Sequence, residues 1–380
     1  MTRPLPIKLT RRNFIKLLFA AGAGLVGAEL LHTITSTNHL KQARPTPPLH
    51  ADRIKNIVFF VQENHTFDNL FADFPGANGI SARTGCPDTL PSDPPHTHTD
   101  ALQPDGASDT GSRCSYQESD IPNYWKAART FTLCDNYFSE VRGPSHPNYL
   151  MMIAGQSPII NAPTTIDECP EFCLDIEVLP NRLDAQGLSW RDYGGIFSGI
   201  KSLVGRPELM DFRDDQFFKD AAAGALPSVS WLNSGFLHES DIKSGHPPGS
   251  LCSGENYAVT VLNAVMNGPQ WGTTALFLVW DDWGGFYDHV DPPVVERWSD
   301  GTPFRYGLRV PCIAVSPYAR PGYVSHTLHS HVSLLRFAET IYGLEPLTAR
   351  DAEASDMLDC FNFEQVPLSP LPLVPRVCSA

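Results

Sequence analysis

Charge is scarce in this chain, and positive charge is the scarcer sign. Only 18% of the 380 residues are charged, and 28 Lys and Arg face 42 Asp and Glu, a net charge of −14. A body that acidic does not hold nucleic acid by counterion release, and it lacks a polybasic cluster for anionic lipid. Long hydrophobic runs are missing too. The Gly/Ala-rich stretch from Leu17 to Ala28 is too short to span a bilayer comfortably, and no later segment reads as a permanent membrane span. No internal repeat is visible. The nine cysteines do not recur at the spacing of a zinc module, so a structural Cys-zinc site is not expected.

The N-terminus is an exception to the acidic balance. Thr10-Arg11-Arg12-Asn13-Phe14-Ile15-Lys16 precedes the apolar stretch, and no acid occurs before Glu29. The segment resembles a twin-arginine signal peptide, which implies the twin-arginine (Tat) export machinery as a partner. The expected destination is the periplasm, the cell surface or the medium. Val26-Gly27-Ala28 offers small residues for cleavage, and an uncleaved anchor is the alternative. Removing residues 1–28 takes away five basic residues and no acid, which moves the net charge to −19.

Export implies disulfides. Cys86 and Cys114 bracket a polar loop, Cys169 and Cys173 can close a small ring, and Cys360 and Cys378 are expected to tie down the tail. Cys134 and Cys312 sit in apolar runs and read as buried free thiols.

Hydrophobic residues make up 42%, enough for a sizeable core, and 34 prolines with 28 glycines predict long, stiff loops around it. The expected organisation is a signal peptide over 1–28, a spacer over 29–53, and one domain over 54–380 carrying an inserted loop or lid at 83–119. Ile57 to Val61 and Ala275 to Trp280 are continuous apolar runs, the pattern of strands buried on both faces. Further strands are predicted over 131–141, 188–193, 229–232 and 310–315. Helices are predicted over 121–129, 178–186, 257–266 and 330–342, with another following Ser145. This alternation predicts a three-layer α/β fold with a mainly parallel sheet.

The two apolar runs end in oxygen-bearing pairs, Glu63-Asn64 and Asp281-Asp282. Ligands of such sheets bind beyond the carboxyl ends of the strands, and three carboxylates gathered there repel one another unless a cation sits among them. Hard oxygen donors suit a divalent ion. Each pair alone is a weak signal, because strand-end acids also cap helices. Ser145 follows a Gly-Pro turn at a predicted helix start, where backbone N–H groups favour an anion. It reads either as a nucleophile or as an ordinary N-cap. His246, His289 and His331 lie in loop-rich contexts and can donate to phosphoryl oxygens or protonate a leaving group. Single loop histidines are more often surface residues, and Asp288 beside His289 can be a simple orienting pair. His96 and His98 sit in the predicted insert.

Gln62-Glu63-Asn64-His65-Thr66-Phe67-Asp68-Asn69-Leu70-Phe71 resembles the opening signature of the bacterial phosphoesterase family of phospholipases C and acid phosphatases. Gly143 to Asn148, Ser244 to Pro248, Asp281 to Val290, Arg309 to Pro317 and His326 to Arg336 resemble its later blocks in order. The resemblance runs from about Ile54 to Phe363. It implies an alkaline-phosphatase-like fold and hydrolysis of phosphoric esters. Glu63, Asn64, Asp281 and Asp282 would then bind one divalent metal ion (Ca, Mg, Mn, Zn or Fe) with Ser145, the nucleophile. His246, His289 and His331 would surround the phosphate. His65 departs from the family, which usually has Arg there. By this resemblance the C-terminal β-domains of the longer phospholipases are not expected within residues 1–380. A sulfatase reading requires Arg where Ser145-His146-Pro147-Asn148 is followed by Tyr149. A silent metal-binding protein of the same fold is the non-enzymatic alternative.

Overall fold

A computed structural model of the chain describes residues 45–81, 84–103, 113–161, 174–197, 199–206, 209–211, 215–234, 243–297, 301 and 303–378. Two units divide the chain, Met1–Lys41 and Gln42–Ala380. The signal segment, the spacer up to residue 44 and the Cys169–Cys173 ring lie outside the described residues. The described end of the spacer forms a single turn at Ala51–Arg53 with Ala51 buried.

Among the described residues twelve strands occur in chain order: β1 (Asn56–Gln62), β2 (Thr132–Cys134), β3 (Tyr137–Phe138), β4 (Trp190–Tyr193), β5 (Met210–Asp211), β6 (Val229–Asn233), β7 (Thr274–Trp280), β8 (Val294–Arg297), β9 (Pro303–Arg305), β10 (Cys312–Val315), β11 (Tyr323–Ser325) and β12 (His329–Ser330). Eight of them form one sheet in the order β11-β2-β10-β7-β1-β6-β4-β5. All neighbours run parallel except β10, which is antiparallel to both β2 and β7. Every residue of β1 and β7 is buried, so both faces of the sheet centre are covered, as their unbroken apolar sequences predict.

Seven helices matter for the site and its support: α1 (Phe67–Phe71), α2 (Pro122–Thr130), α3 (Ser145–Ala154), α4 (Leu179–Ala185), α5 (Asp215–Ala223), α6 (Leu251–Met266) and α7 (His331–Tyr342). α3 packs on α7, while α6 packs on α2 and α5. The three-layer, mainly parallel α/β expectation therefore holds. Two predictions differ: the single strand expected over 131–141 is two short strands, β2 and β3, separated by a bend at Asp135-Asn136, and one helix starts earlier than expected. α6 begins at Leu251 and not near Tyr257, because Ser250 caps it by accepting from Ser253 N.

The tail is tied down differently from the expectation. Cys378 is bonded to Cys252 on α6, and Cys360 is a buried free thiol. The tail's course along α6 explains this: Asn263 and Asn256 donate to the carbonyls of Leu373 and Arg376, which carries Cys378 back to the start of that helix. The Cys86–Cys114 pair forms as expected. The described parts of the insert are docked: Tyr116 N donates to Asn69 O, and Asp88 accepts from Ser250 Oγ and Cys252 N.

α7 buries Leu334, Leu335, Ala338 and Ile341 as its periodicity predicts, and with them Glu339. Burial, and after it the neighbouring Asp351, pushes the Glu339 carboxyl up to about 10. The Arg336 guanidinium, 3.7 Å away, is too distant to offset full burial. The group is therefore protonated in the folded protein at neutral pH. Its stabilising contribution is complete below pH 4.5 and is lost as pH rises toward 10. Glu339→Gln is expected to raise stability by about 1–3 kcal/mol at pH 7 and by nothing measurable at pH 4. Paired denaturant titrations at the two pH values check this, and an equal effect at both would contradict it.

Candidate active site

β1 and β7 are direct neighbours, with Gln62 opposite Trp280. This register sets the residues that follow each strand side by side, and Asp281 N donates to Gln62 O. Glu63, Asn64, Asp281 and Asp282 thus gather, all buried, beyond the carboxyl ends of two central strands. The chain must then turn sharply. Gly284 adopts φ +57°, and a Cβ there would lie 2.1 Å from Asn64 O, so only glycine fits. Its N–H donates to Asp282 Oδ1 at 2.7 Å.

Ser145 is the first residue of α3, and Pro144 is the N-cap, so the capping alternative for Ser145 does not apply. Its hydroxyl donates to Asp282 Oδ2 at 3.3 Å. Asn148, one turn into the helix, holds the preceding loop. It accepts from the N–H groups of Glu140 and Val141 and donates to the carbonyls of Val141, Gly143 and Pro144. Tyr149 lies four residues after Ser145, on the same helix face, and its hydroxyl donates to Glu63 Oε1. One helix face therefore aims both the Ser145 hydroxyl and the Tyr149 phenol at the acids.

Electrostatically the cluster is crowded with buried carboxylates. Burial, then Asp282 and Glu63, push the Asp281 carboxyl well above the usual range. Burial likewise raises Asp282 to about 6, against the opposing pull of His96 and the Gly284 N–H. Asn64 Oδ1 and both Asp281 oxygens are buried with no well-directed hydrogen bond, although Ser145 stands near Asp281. Buried oxygens without partners are costly. An all-oxygen donor set with three orphaned atoms fits a hard divalent ion.

His246 approaches this cluster, with Nε2 3.7 Å from Glu63 Oε2, and its Nδ1–H donates to Pro247 O. Burial disfavours its charge, but Glu63, Asp93 and the Pro247 carbonyl outweigh that, and its pKa is raised. His96 was passed over in the sequence because nothing in the insert's composition separates it from the other polar residues. The docked insert brings its Nε2 to 3.3 Å from Asn64 Nδ2 while Nδ1 donates to Pro94 O. The Asn64 amide is thereby oriented with its oxygen left over. Tyr149 was legible in principle from its i+4 spacing to Ser145.

His331 and His289 have other partners. His331 is fully buried; its Nε2–H donates to Asp281 O at 2.6 Å and its Nδ1 accepts from Tyr137 OH at 3.0 Å. Burial lowers its pKa to about 3. Both ring nitrogens are used inside the protein, so it positions Asp281 and does not face phosphate. His289 Nδ1 lies 2.8 Å from Asp68 Oδ2, in a network where Arg309 bridges Asp68 and Asp288. β10 runs antiparallel, so Arg309, just before it, comes to this end of the sheet, while Ser316 at its far end meets Thr274 at the start of β7. His65 stacks on Phe286 with centroids 5.0 Å apart, and burial lowers its pKa to about 4.

The model of the Phosphoesterase family matches residues 98–345. The chain belongs to this family. It is 27% identical over 468 residues to a non-hemolytic phospholipase C of Pseudomonas aeruginosa, covering 98% of this chain and 66% of that protein. It is 29% identical over 303 residues to phospholipase C B of Mycobacterium tuberculosis, covering 66% of this chain and 57% of that protein. The chain therefore spans less than two thirds of the length of these curated relatives. Among solved structures, a protein of the alkaline phosphatase superfamily from Vibrio parahaemolyticus matches with a TM-score of 0.45 at 11% identity, covering 83% of this chain and 71% of that one. Among the described residues no helix is long and apolar enough to cross a membrane.

Proposed function

We propose that the chain is an exported, metal-dependent hydrolase of phosphoric esters with Ser145 as its nucleophile. The observation that carries this reading is the meeting of Ser145 Oγ with Asp282 at a helix start, beside buried oxygens that have no partner. Glu63, Asn64, Asp281 and Asp282, with Ser145, would hold the ion. When bound, the ion would lower the pKa of the hydroxyl and offset charge on the phosphoryl group.

In this reading Ser145 Oγ forms a bond to phosphorus as the bond to the leaving oxygen breaks. The hydroxyl proton passes to Asp282 Oδ2, its hydrogen-bond partner. His246, whose pKa is raised, gives a proton from Nε2 to the leaving oxygen. Water then attacks phosphorus as the bond to Ser145 Oγ breaks; His246 Nε2 takes the water proton and Asp282 returns its proton to Ser145 Oγ, releasing phosphate or a phosphomonoester. His331 fixes Asp281, Tyr149 fixes Glu63, and His96 fixes Asn64. Arg142, three residues before Ser145, lines a cavity of about 270 Å³ with Arg305, Leu102, Ile160 and Phe304.

The test is a side-by-side assay of phosphatidylcholine vesicles and an aryl phosphomonoester, with and without chelator, on cell, periplasmic and culture fractions. Hydrolysis of at least one substrate outside the cytoplasm, abolished by chelator and restored by a divalent ion, is expected. Hydrolysis indifferent to exhaustive chelation would overturn the metal role, and no hydrolysis of any phosphoric ester would overturn the reading.

A further inference from the structure

The three cysteines outside disulfides among the described residues are all fully buried and come together from separate segments. Cys134 ends β2, Cys312 begins β10 as its ladder partner, and Cys360 closes a short turn in the tail. Cys134 Sγ lies 3.6 Å from Cys360 Sγ. Two sulfurs each about 2.3 Å from a tetrahedral ion stand about 3.7–3.8 Å apart, so the observed separation is close to one edge of such a site. A ring nitrogen of His329, on β12, completes a triangle in which all ligand atoms lie within 4.8 Å of one another.

The imidazole carries the second, independent observation. His329 Nε2 lies 3.2 Å from Asp359 Oδ1, and the opposite nitrogen, Nδ1, is buried with no well-directed hydrogen bond, while the ring stands within reach of Cys360. A histidine that gives one N–H to a carboxylate and turns its other nitrogen toward soft donors has the orientation of a metal ligand held by an outer carboxylate.

We propose that Cys134, Cys360 and His329 form a structural binding site for a soft divalent cation, zinc by donor chemistry, with Cys312, the ladder partner of Cys134, as the fourth donor and Asp359 orienting the histidine. On binding, each ligating thiol loses its proton to solvent and the imidazole binds as the neutral ring. The site pins the tail turn at Leu358–Cys360 to the sheet edge. It is built from thiolate and imidazole, unlike the all-oxygen cluster around Ser145, so the two accept ions of different character. Four distant segments contribute to it, which is why no spacing in the sequence announces it.

The experiment is cobalt(II) titration of the purified full chain, read by thiolate-to-cobalt charge-transfer absorption in the near ultraviolet. The oxygen cluster cannot produce this signal, so the result is independent of the hydrolase reading. A band saturating at one cobalt per chain is expected, lost in Cys360→Ser and kept in Ser145→Ala. X-ray absorption at the zinc edge of the zinc-loaded wild type needs no variant to fold, and it should show sulfur at about 2.3 Å. Absence of the band at saturating cobalt, a zinc shell of oxygen and nitrogen alone, or a Cys134–Cys360 disulfide mapped in the unreduced protein would overturn the proposal.

Discussion

Ser145→Ala is expected to lower turnover of any phosphoric ester the wild type accepts by roughly 10^4- to 10^6-fold, the range seen when a serine nucleophile is removed. The fold should tolerate the change. Pro144, not Ser145, is the N-cap, the loop before it is held by Asn148, and alanine is the best helix former. The thermal midpoint should therefore stay near that of the wild type. A purified variant with wild-type melting and a residual rate above one percent would remove Ser145 from the nucleophile role. The fold would stand, and the acids would need another partner.

The second large effect is on stability. Arg309 has no exposed side-chain surface. It donates through Nε to Asp288 at 3.0 Å and through Nη2 to Asp68 at 2.9 Å, while Nη1 donates to the carbonyls of Asn78 and Asp135. Its guanidinium also lies 4.4 Å from the centre of the Phe67 ring. Arg309→Met would keep much of the volume but leave two buried carboxylates and two carbonyls without their donor. Breaking a buried pair from one side costs about 3–5 kcal/mol, a large share of the stability of an ordinary domain. A denaturant titration of Arg309→Met should show that loss. Adding Asp68→Asn and Asp288→Asn should recover part of it, because the stranded charges are then gone. Lysine at 309 should fall between, since it keeps the charge but not the fork. An Arg309→Met midpoint equal to wild type would mean the network contributes little beyond its packing.

These two residues also mark how far the chain could be read without coordinates. Ser145 was legible: a Gly-Pro turn, a helix start and a hydroxyl are adjacent in sequence, and local geometry follows from local chemistry. Arg309 was legible only as part of a family block, because its partners lie 21 and 241 residues away. The histidines divide the same way. Three loop contexts looked alike in sequence, yet His246 reaches Glu63, His331 is sealed beneath Asp281, and His289 joins Asp68. His96 came from a segment with no periodicity to read, placed by a disulfide and by hydrogen bonds to residues more than a hundred positions distant. The tail cysteine was misassigned for a related reason: Cys360 and Cys378 are near in sequence, but the tail runs back along α6 and meets Cys252.

By itself, the amino-acid order determined that Ile57–Val61 and Ala275–Trp280 would be buried strands, because unbroken apolar runs of that length are stable only when covered on both faces, and it placed acids or amides just beyond both. What only the tertiary structure decided was the partnership: β1 beside β7 in parallel register, β10 reversed, and the insert docked so that His96 orients Asn64. Pairing and docking are settled by the packing of the whole core and by hydrogen bonds between distant segments, neither of which leaves a mark in any short window of the chain.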